Sequence, residues 1–262
     1  MTDRSIKIEN LYFSRNSRKI IENVSFSISE GEFLGVIGPN GAGKTTLIKL
    51  ILGLLKPDSG EIYIEDRHLS DYGTRELYQK IAFVPQENNL DFPMTVLETV
   101  LLGRIPYLNR FRLENDDDYR IARHALKSTD IEDFSERYAN QLSVGEKQLV
   151  SIAKALAQET DYIFLDEPTS SLDVSHTIKI MEILKGLTKS GKTIISVIHD
   201  LNVAARYCDK VIVIDSGTIK GFGKTSDVLT KEIIQDSFSV SVNIHTSALT
   251  GNLLIEPVDT KN

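Results

Sequence analysis

The sequence predicts an α/β fold built on a mostly parallel sheet, and three observations carry that expectation. Short continuous apolar runs, among them Phe33-Leu34-Gly35-Val36-Ile37, Tyr162-Ile163-Phe164-Leu165 and Val211-Ile212-Val213-Ile214, read as strands buried on both faces. Segments of helical periodicity alternate with them, as βα units require. The stretch GPNGAGKTT, Gly38 to Thr46, follows one such strand and precedes the apolar helix pattern Leu47 to Leu52, the strand–loop–helix setting of a phosphate-binding loop.

In chain order, residues 6–13 and Ile20 to Ile28 alternate as two strands around the polar turn Ser14 to Lys19. After the phosphate loop and its helix, the turn cluster Lys56 to Gly60 leads into an alternating strand, Glu61 to Glu65. Thr74 to Gln79 suits a short helix, and Ile81 to Val84 is an apolar strand stopped by Pro85, with Gln86 at its end. From Glu87 to Asn140 strand patterns give way to helical ones at Thr95 to Gly103, Asp116 to Thr129 and Ile131 to Tyr138, which reads as a helical insertion. Asp91-Phe92-Pro93 precedes the first of these, with Thr95 as N-cap and Glu98 as its capping-box partner. The acidic run Asn115 to Asp118 reads as a solvated helix start, since consecutive carboxylates on a helix cannot converge on one ion. The α/β rhythm then resumes with Tyr162 to Leu165, a helix Val174 to Lys189, a strand Thr193 to Ile198, a helix Leu201 to Tyr207, and strands Val211 to Ile214 and Thr218 to Phe222. The tail from Thr225 holds two short helical patterns, the alternating Val240 to Ile244 and the apolar Leu253 to Ile255.

Composition narrows the function classes. With 41% apolar and 26% charged residues the 262-residue chain has the make-up of a globular protein with a buried core. A net charge of −7 argues against a nucleic-acid partner. Cys208 is the only cysteine, so no internal disulfide forms, which fits a reducing compartment. The opening MTDRSIKIEN carries no signal-peptide apolar region, and no stretch reaches the ~18 uninterrupted apolar residues of a spanning helix. Any membrane role is expected to be peripheral, through another protein.

The candidate chemistry begins at the loop. Gly38, Gly43, Lys44 and Thr45 meet the pattern G-x-x-x-x-G-K-[ST]: backbone N–H groups and the helix start face phosphate oxygens, Lys44 reaches the terminal phosphates, and the Thr45 hydroxyl ligates magnesium. The strand Tyr162 to Leu165 delivers Asp166 and Glu167 at its end, a carboxylate pair that suits a water-mediated hold on magnesium and the activation of an attacking water. His199 ends another strand; such a histidine is structural or functional according to whether its strand end converges on the ligand crevice. His68, His124, His176 and His245 lie in polar or helical surroundings and read as surface or structural residues. Ser143 and Glu146 make a capping box, and the same Ser-Gly helix start is a second anion site.

The order GPNGAGKTT, Gln86 after Val84-Pro85, LSVGE, YIFLDE, Ser170 to Asp173 and His199 resembles the ATP-binding subunit of ATP-binding-cassette (ABC) transporters across the whole chain. The resemblance implies one nucleotide-binding domain over 1–262 with a RecA-like P-loop NTPase core and mostly parallel sheet. An antiparallel β subdomain joins that core (1–87 and 147–224), a helical subdomain is inserted at 88–146, and an extension follows at 225–262. It implies ATP and Mg2+, with the nucleotide on Gly38, Pro39, Asn40, Gly41, Ala42, Gly43, Lys44, Thr45 and Thr46, and the metal on Thr45, Gln86 and Asp166. Glu167, His199 and Gln86 would serve catalysis. Two copies would pack head-to-tail, so that Ser143 and Gly145 contact the γ-phosphate held by the opposite subunit, while Ser170 to Asp173 join the two sites.

Two departures from the family pattern bear on turnover. Val144 and Glu146 stand where the usual signature LSGGQ has glycine and glutamine. Arg15 occupies the place of the aromatic residue that stacks on adenine; its guanidinium can stack instead, or Tyr12 or Phe13 substitutes. Leu102 to Tyr107, His199-Asp200-Leu201-Asn202, Ala204 to Tyr207 and Asp227 to Thr230 resemble the importers of iron–siderophore, haem and cobalamin, with manganese and zinc importers as the nearest alternative. That branch implies an ATPase at the cytoplasmic face of the membrane, bound to permease subunits and served indirectly by an extracytoplasmic substrate-binding protein. It also places Leu101 to Tyr107, Arg104 and Tyr107 included, near the permease. ABC ATPases of translation or DNA repair are a further class, set apart by two cassettes per chain or long coiled-coil insertions. A GTPase or small-molecule kinase is disfavoured by the absence of an Asn-Lys-x-Asp motif.

Overall fold

A computed structural model describes residues 5–86, 93–108, 113–248 and 250–258; Asp91 and Phe92, expected to lead into the helix at Thr95, lie outside the described residues. The chain forms two compact units, Met1–Asp71 with Thr193–Asn262, and Tyr72–Lys192.

The first unit opens with β1 (Ser5–Arg15), β2 (Arg18–Ser29), β3 (Phe33–Ile37), α1 (Lys44–Ile51), β4 (Ser59–Ile64) and β5 (Arg67–His68). The second unit holds α2 (Thr74–Lys80), β6 (Ile81–Val84), α3 (Val96–Leu101) running into a 3-10 turn at Leu102–Tyr107, α4 (Asp116–Ser128), α5 (Val144–Ala157), β7 (Tyr162–Leu165) and α6 (Val174–Lys189). The chain then returns to the first unit as β8 (Thr193–Val197), α7 (Leu201–Tyr207), β9 (Lys210–Asp215), β10 (Thr218–Lys224), α8 (Thr225–Val228), α9 (Lys231–Phe238), β11 (Val242–Thr246) and β12 (Leu253–Pro257).

In the first unit β3 lies between β8 and β9, parallel to both, and β10 closes antiparallel on β9. All five residues of β3 and of β8 are buried, as expected of strands covered on both faces. A separate antiparallel sheet runs β2-β1-β4-β5, with Ile6, Ile8, Val24 and Ile28 among its inward side chains. Its first turn is tighter than the polar segment predicts: Asn16 and Ser17 both have positive φ, 50° and 63°, so a two-residue primed turn sets Arg15 opposite Arg18. In the second unit β6 and β7 pair in parallel, Val84 opposite Leu165. The α/β class, with parallel strands beside an antiparallel sheet, is therefore as the sequence predicts.

Two local expectations change. Ile131 to Tyr138 is not a helix but a single 3-10 turn at Glu132–Phe134. Its carbonyls are used elsewhere: Val96 N donates to Arg137 O (2.9 Å) and Leu97 N to Ser135 O (3.0 Å), satisfying the orphan amides that begin α3. The second correction concerns Arg104, expected at a partner-facing surface. It is only 6% exposed; its Nε donates to Asp118 Oδ1 (3.0 Å), and its Nη1 to Ala157 O (2.8 Å) and Glu159 Oε2 (2.9 Å). Tyr107 turns inward as well, its hydroxyl donating to Gln158 O (2.9 Å) beneath the Arg104 guanidinium. Asp118, read from sequence as part of a solvated run, is 2% exposed, while Asn115, Asp116 and Asp117 face water. The surface of this turn is instead apolar, with Leu102 and Ile105 exposed. Arg104→Ala strands Asp118 in the interior and is expected to cost about 3–5 kcal/mol, read as a lower urea midpoint, with surface substitution of Asp117 leaving that midpoint unchanged.

Candidate functional site

The phosphate loop leaves β3 at the edge where β8 also ends. Val36 pairs with Val197, and Ile198 N donates to Val36 O (3.1 Å), so Gly38 and His199 emerge side by side from adjacent parallel strands. That neighbour relation sets His199 at the same sheet edge as the start of the loop. Gly38 adopts φ 152°, Gly41 78° and Gly43 106°; at Gly38 a Cβ would collide with the Ile214 carbonyl, so only glycine fits where the loop crosses β9. Lys44 is 5% exposed and its ammonium donates to Gly38 O (2.9 Å) and Pro39 O (3.0 Å), which holds a buried positive charge inside the curve of the loop.

The start of α1, like those of α2 and α8, has no side-chain cap. Side chains of Thr95, Asn115, Ser143 and Asp173 cap α3, α4, α5 and α6, whereas Gly43 gives α1 no side-chain cap. An uncapped N-terminus beside a buried ammonium suits an anion with several oxygens. Thr45, the second residue of α1, carries a hydroxyl, and Asp166, at the end of β7, carries a carboxylate; each is a hard oxygen donor. Next to the loop a polar cavity of about 370 Å³ is lined by Pro39 to Ala42, by Arg18 and Lys19 at the start of β2, and by Asp215 to Gly217. Sequence reading missed Arg18 and Lys19, which reach this place only through the β1–β2 turn. Arg15 is exposed at that turn and does not line the cavity; Tyr12, at 36% exposure, is on the same strand.

The second unit assembles the remaining candidates. The ladder between β6 and β7 continues as Asp166 N donates to Val84 O (2.9 Å), so Gln86 and the carboxylate pair leave the same edge. Gln86 Nε2 donates to Glu167 Oε2 (2.7 Å). Asp166 is 4% exposed, while Glu167 sits at φ 52°, a left-handed conformation costing about 1–3 kcal/mol that persists only where the surroundings impose it. Ser170 supplies part of that constraint, its N–H and hydroxyl both donating to Glu167 O (3.1 and 3.0 Å).

At α5 the expected capping box is present: Ser143 N donates to Glu146 Oε2 (2.7 Å) and Glu146 N to Ser143 Oγ (3.3 Å). The bond from Ser143 N holds the Glu146 carboxyl below the usual carboxylate range, with the Ser143 side chain and nearby Arg137 and His176 acting in the same direction. Ser143 and Val144 are exposed and Gly145 is buried. A side chain at Gly145 would strike the His176 ring, whose Nδ1 lies 3.0 Å from Asp173 Oδ2. His176, read from sequence as surface or structural, thus links the helix start at Ser143 to the segment ending at Asp173. No spacing rule points to it, because the two lie on different helices. Among the other histidines, His68 pairs with Glu61. Among the described residues no cluster of three or more His, Cys, Asp or Glu forms a metal site.

A family model described as ABC transporter matches residues 21–170. The chain is 37% identical over 256 residues to the ABC transporter ATP-binding protein YvrA of Bacillus subtilis (strain 168), covering 96% of this chain and 58% of that protein. It is 36% identical over 242 residues to the petrobactin import ATP-binding protein YclP of the same organism, covering 92% of this chain and 95% of that one. The chain therefore spans little more than half of the first relative and nearly all of the second. Among solved structures, an ABC transporter in an inward-facing conformation superposes with a TM-score of 0.87 at 30% identity over 98% of each chain. With a glycine loop on β3, a carboxylate pair on β7 and a family match over residues 21–170, the chain belongs to the ABC transporter family.

Proposed function

We propose that this chain is the ATP-hydrolysing subunit of an importer of iron–siderophore, haem or cobalamin, held peripherally at the cytoplasmic face of the membrane by permease subunits. An extracytoplasmic binding protein would deliver the cargo, which never touches this chain. The observation that carries the reading is the hydrogen bond of Gln86 to Glu167 at the end of a buried strand, a carboxylate aimed and restrained as a catalytic base needs. The full-length likeness to a petrobactin import ATP-binding protein supports the substrate class. In this reading 88–146 is the helical subdomain, 1–87 with 147–224 the core and β subdomain, and 225–262 an extension.

The phosphates of ATP lie along Gly38 to Thr46, and Lys44 neutralises charge on the γ-phosphate and its leaving oxygen. Thr45, Gln86 and Asp166 would hold magnesium directly or through water, and the ion would withdraw charge from the phosphate oxygens. Glu167 takes a proton from water as the water oxygen bonds to γ-phosphorus and the bond to the bridging oxygen breaks, giving ADP and inorganic phosphate. His199 holds the γ-phosphate and the attacking water. Ser143 and Gly145 of a second copy complete the site, so ATP favours a closed dimer and hydrolysis removes that preference, moving the permease between its two states. Arg15, Tyr12 or Phe13 covers the adenine.

Glu167→Gln is expected to retain ATP binding and stable dimerisation while phosphate release falls by about 10²–10⁴-fold; normal turnover refutes its role as base. Glu146 puts an ionised carboxylate where the partner's γ-phosphate must approach. Glu146→Gln keeps the cap, removes like-charge repulsion worth about 1 kcal/mol, and is expected to raise turnover roughly fivefold at limiting ATP. Val144→Gly is expected to speed ATP turnover in the assembled transporter; no gain with full assembly counts against a steric brake at Val144. Vesicles carrying the cognate permease, this chain and the binding protein are expected to accumulate a ferric siderophore, haem or cobalamin with ATP, and accumulation of manganese or zinc ions instead overturns the substrate class.

A further inference from the structure

We propose that Asn202 is a positioning residue for His199, acting by clamping the C-terminal hairpin β11–β12 onto the start of α7. The Asn202 side chain bonds to both backbone groups of one hairpin residue: its Nδ2 donates to Ile255 O (3.0 Å), and Ile255 N donates to its Oδ1 (2.8 Å). One amide thus does for the edge of β12 what a neighbouring strand does, supplying an acceptor and a donor to the same residue. The asparagine amide carries an acceptor oxygen and an NH2 donor side by side, which matches the C=O and N–H of one backbone residue. A two-stranded hairpin is marginal alone; these bonds, the burial of Val242 and Ile255, and the bond of Lys231 Nζ to Asn243 Oδ1 (3.2 Å) hold β11–β12 in place.

The consequence reaches His199 along three residues of chain. On one side Ile198 N is fixed to Val36 O in the β3–β8 ladder. On the other, Asp200 caps α7, accepting from Asn202 N (2.7 Å) and Val203 N (3.2 Å), so the backbone that carries the Asn202 clamp is tied directly to the residue after His199. His199, Val242, Ile255 and Pro257 line one apolar cavity of about 240 Å³, which makes the hairpin a wall beside the imidazole. Releasing the clamp loosens both the segment and the wall. The inference rests on the reading that His199 holds γ-phosphate and attacking water, where a displacement of about 1 Å costs on the order of 10²-fold.

Asn202→Asp tests it with an isosteric side chain that cannot donate and sets a carboxylate against Ile255 O. Ile255→Pro removes the N–H from the hairpin side without altering α7. In full-length protein both variants are expected to lower kcat for ATP by about 10–10²-fold with KM changed less than about twofold, and to speed amide exchange across 253–257. In a His199→Ala background Asn202→Asp is expected to add no further loss, because the two act through one group. Unchanged kcat with a released hairpin, or losses that multiply with His199→Ala, overturns the inference alone. Full turnover in His199→Ala itself overturns the reading of His199, and the inference with it.

Discussion

Val36 lies opposite Val197 in a parallel ladder, and the amide of Ile198 closes on the carbonyl of Val36. The chemistry of the first unit depends on that register. It sets the phosphate loop and His199 at one sheet edge, and a slip of a single residue would move the histidine by about 3.3 Å along the strand. The register is defended by complete burial of β3 and β8 and by β9 on the other flank, so its loss would expose apolar surface throughout. The ladder of β6 with β7 plays the same part in the second unit, setting Gln86 beside Glu167. Parallel pairing sends successive strand ends to the same edge, which is why residues from distant parts of the sequence share one chemical task.

The starts of α1 and α5 differ in their charge. At α1 the N-terminus lacks a side-chain cap and a buried ammonium adjoins it. At α5 the cap is made by Ser143 and Glu146, and the carboxylate that completes it stays ionised. A helix N-terminus stabilises one nearby negative charge, and here the protein's own carboxylate already takes part of that field. Beside it, Asp173 accepts from the His176 amide, the Ser175 hydroxyl and the His176 ring, which hold its carboxyl well below the usual range. The His176 ring then packs on Gly145, so the segment ending at Asp173 and the start of α5 are a single packed unit.

The Arg104 cluster belongs to stability rather than to recognition. A guanidinium buried among Asp118, Glu159 and the carbonyl of Ala157 ties the turn after α3 to α4 and to the end of α5. Its Nε and Nη1 donors are matched by charged or carbonyl oxygens, the condition under which a charge is tolerated out of water. What this turn presents outward is the apolar pair Leu102 and Ile105.

Much was legible in the amino-acid order alone. The phosphate loop, the carboxylate pair, the capping boxes at Thr95 and Ser143 and the alternation of apolar strands with helices are local, and local rules for glycine, caps and periodicity read them directly. The spacing of the motifs also carried the family. Tertiary structure alone decided the rest, because it depends on partners far apart in sequence. Arg104 turned inward when Asp118 and Glu159 met it; Ile131 to Tyr138 gave its carbonyls to α3 instead of coiling into a helix; Arg18 and Lys19 came beside the loop. Asn202 found its two bonds on Ile255, 53 residues away. A sequence states which groups are available, and which of them meet is settled by packing, where each buried polar group takes the partner that the strand registers bring within reach.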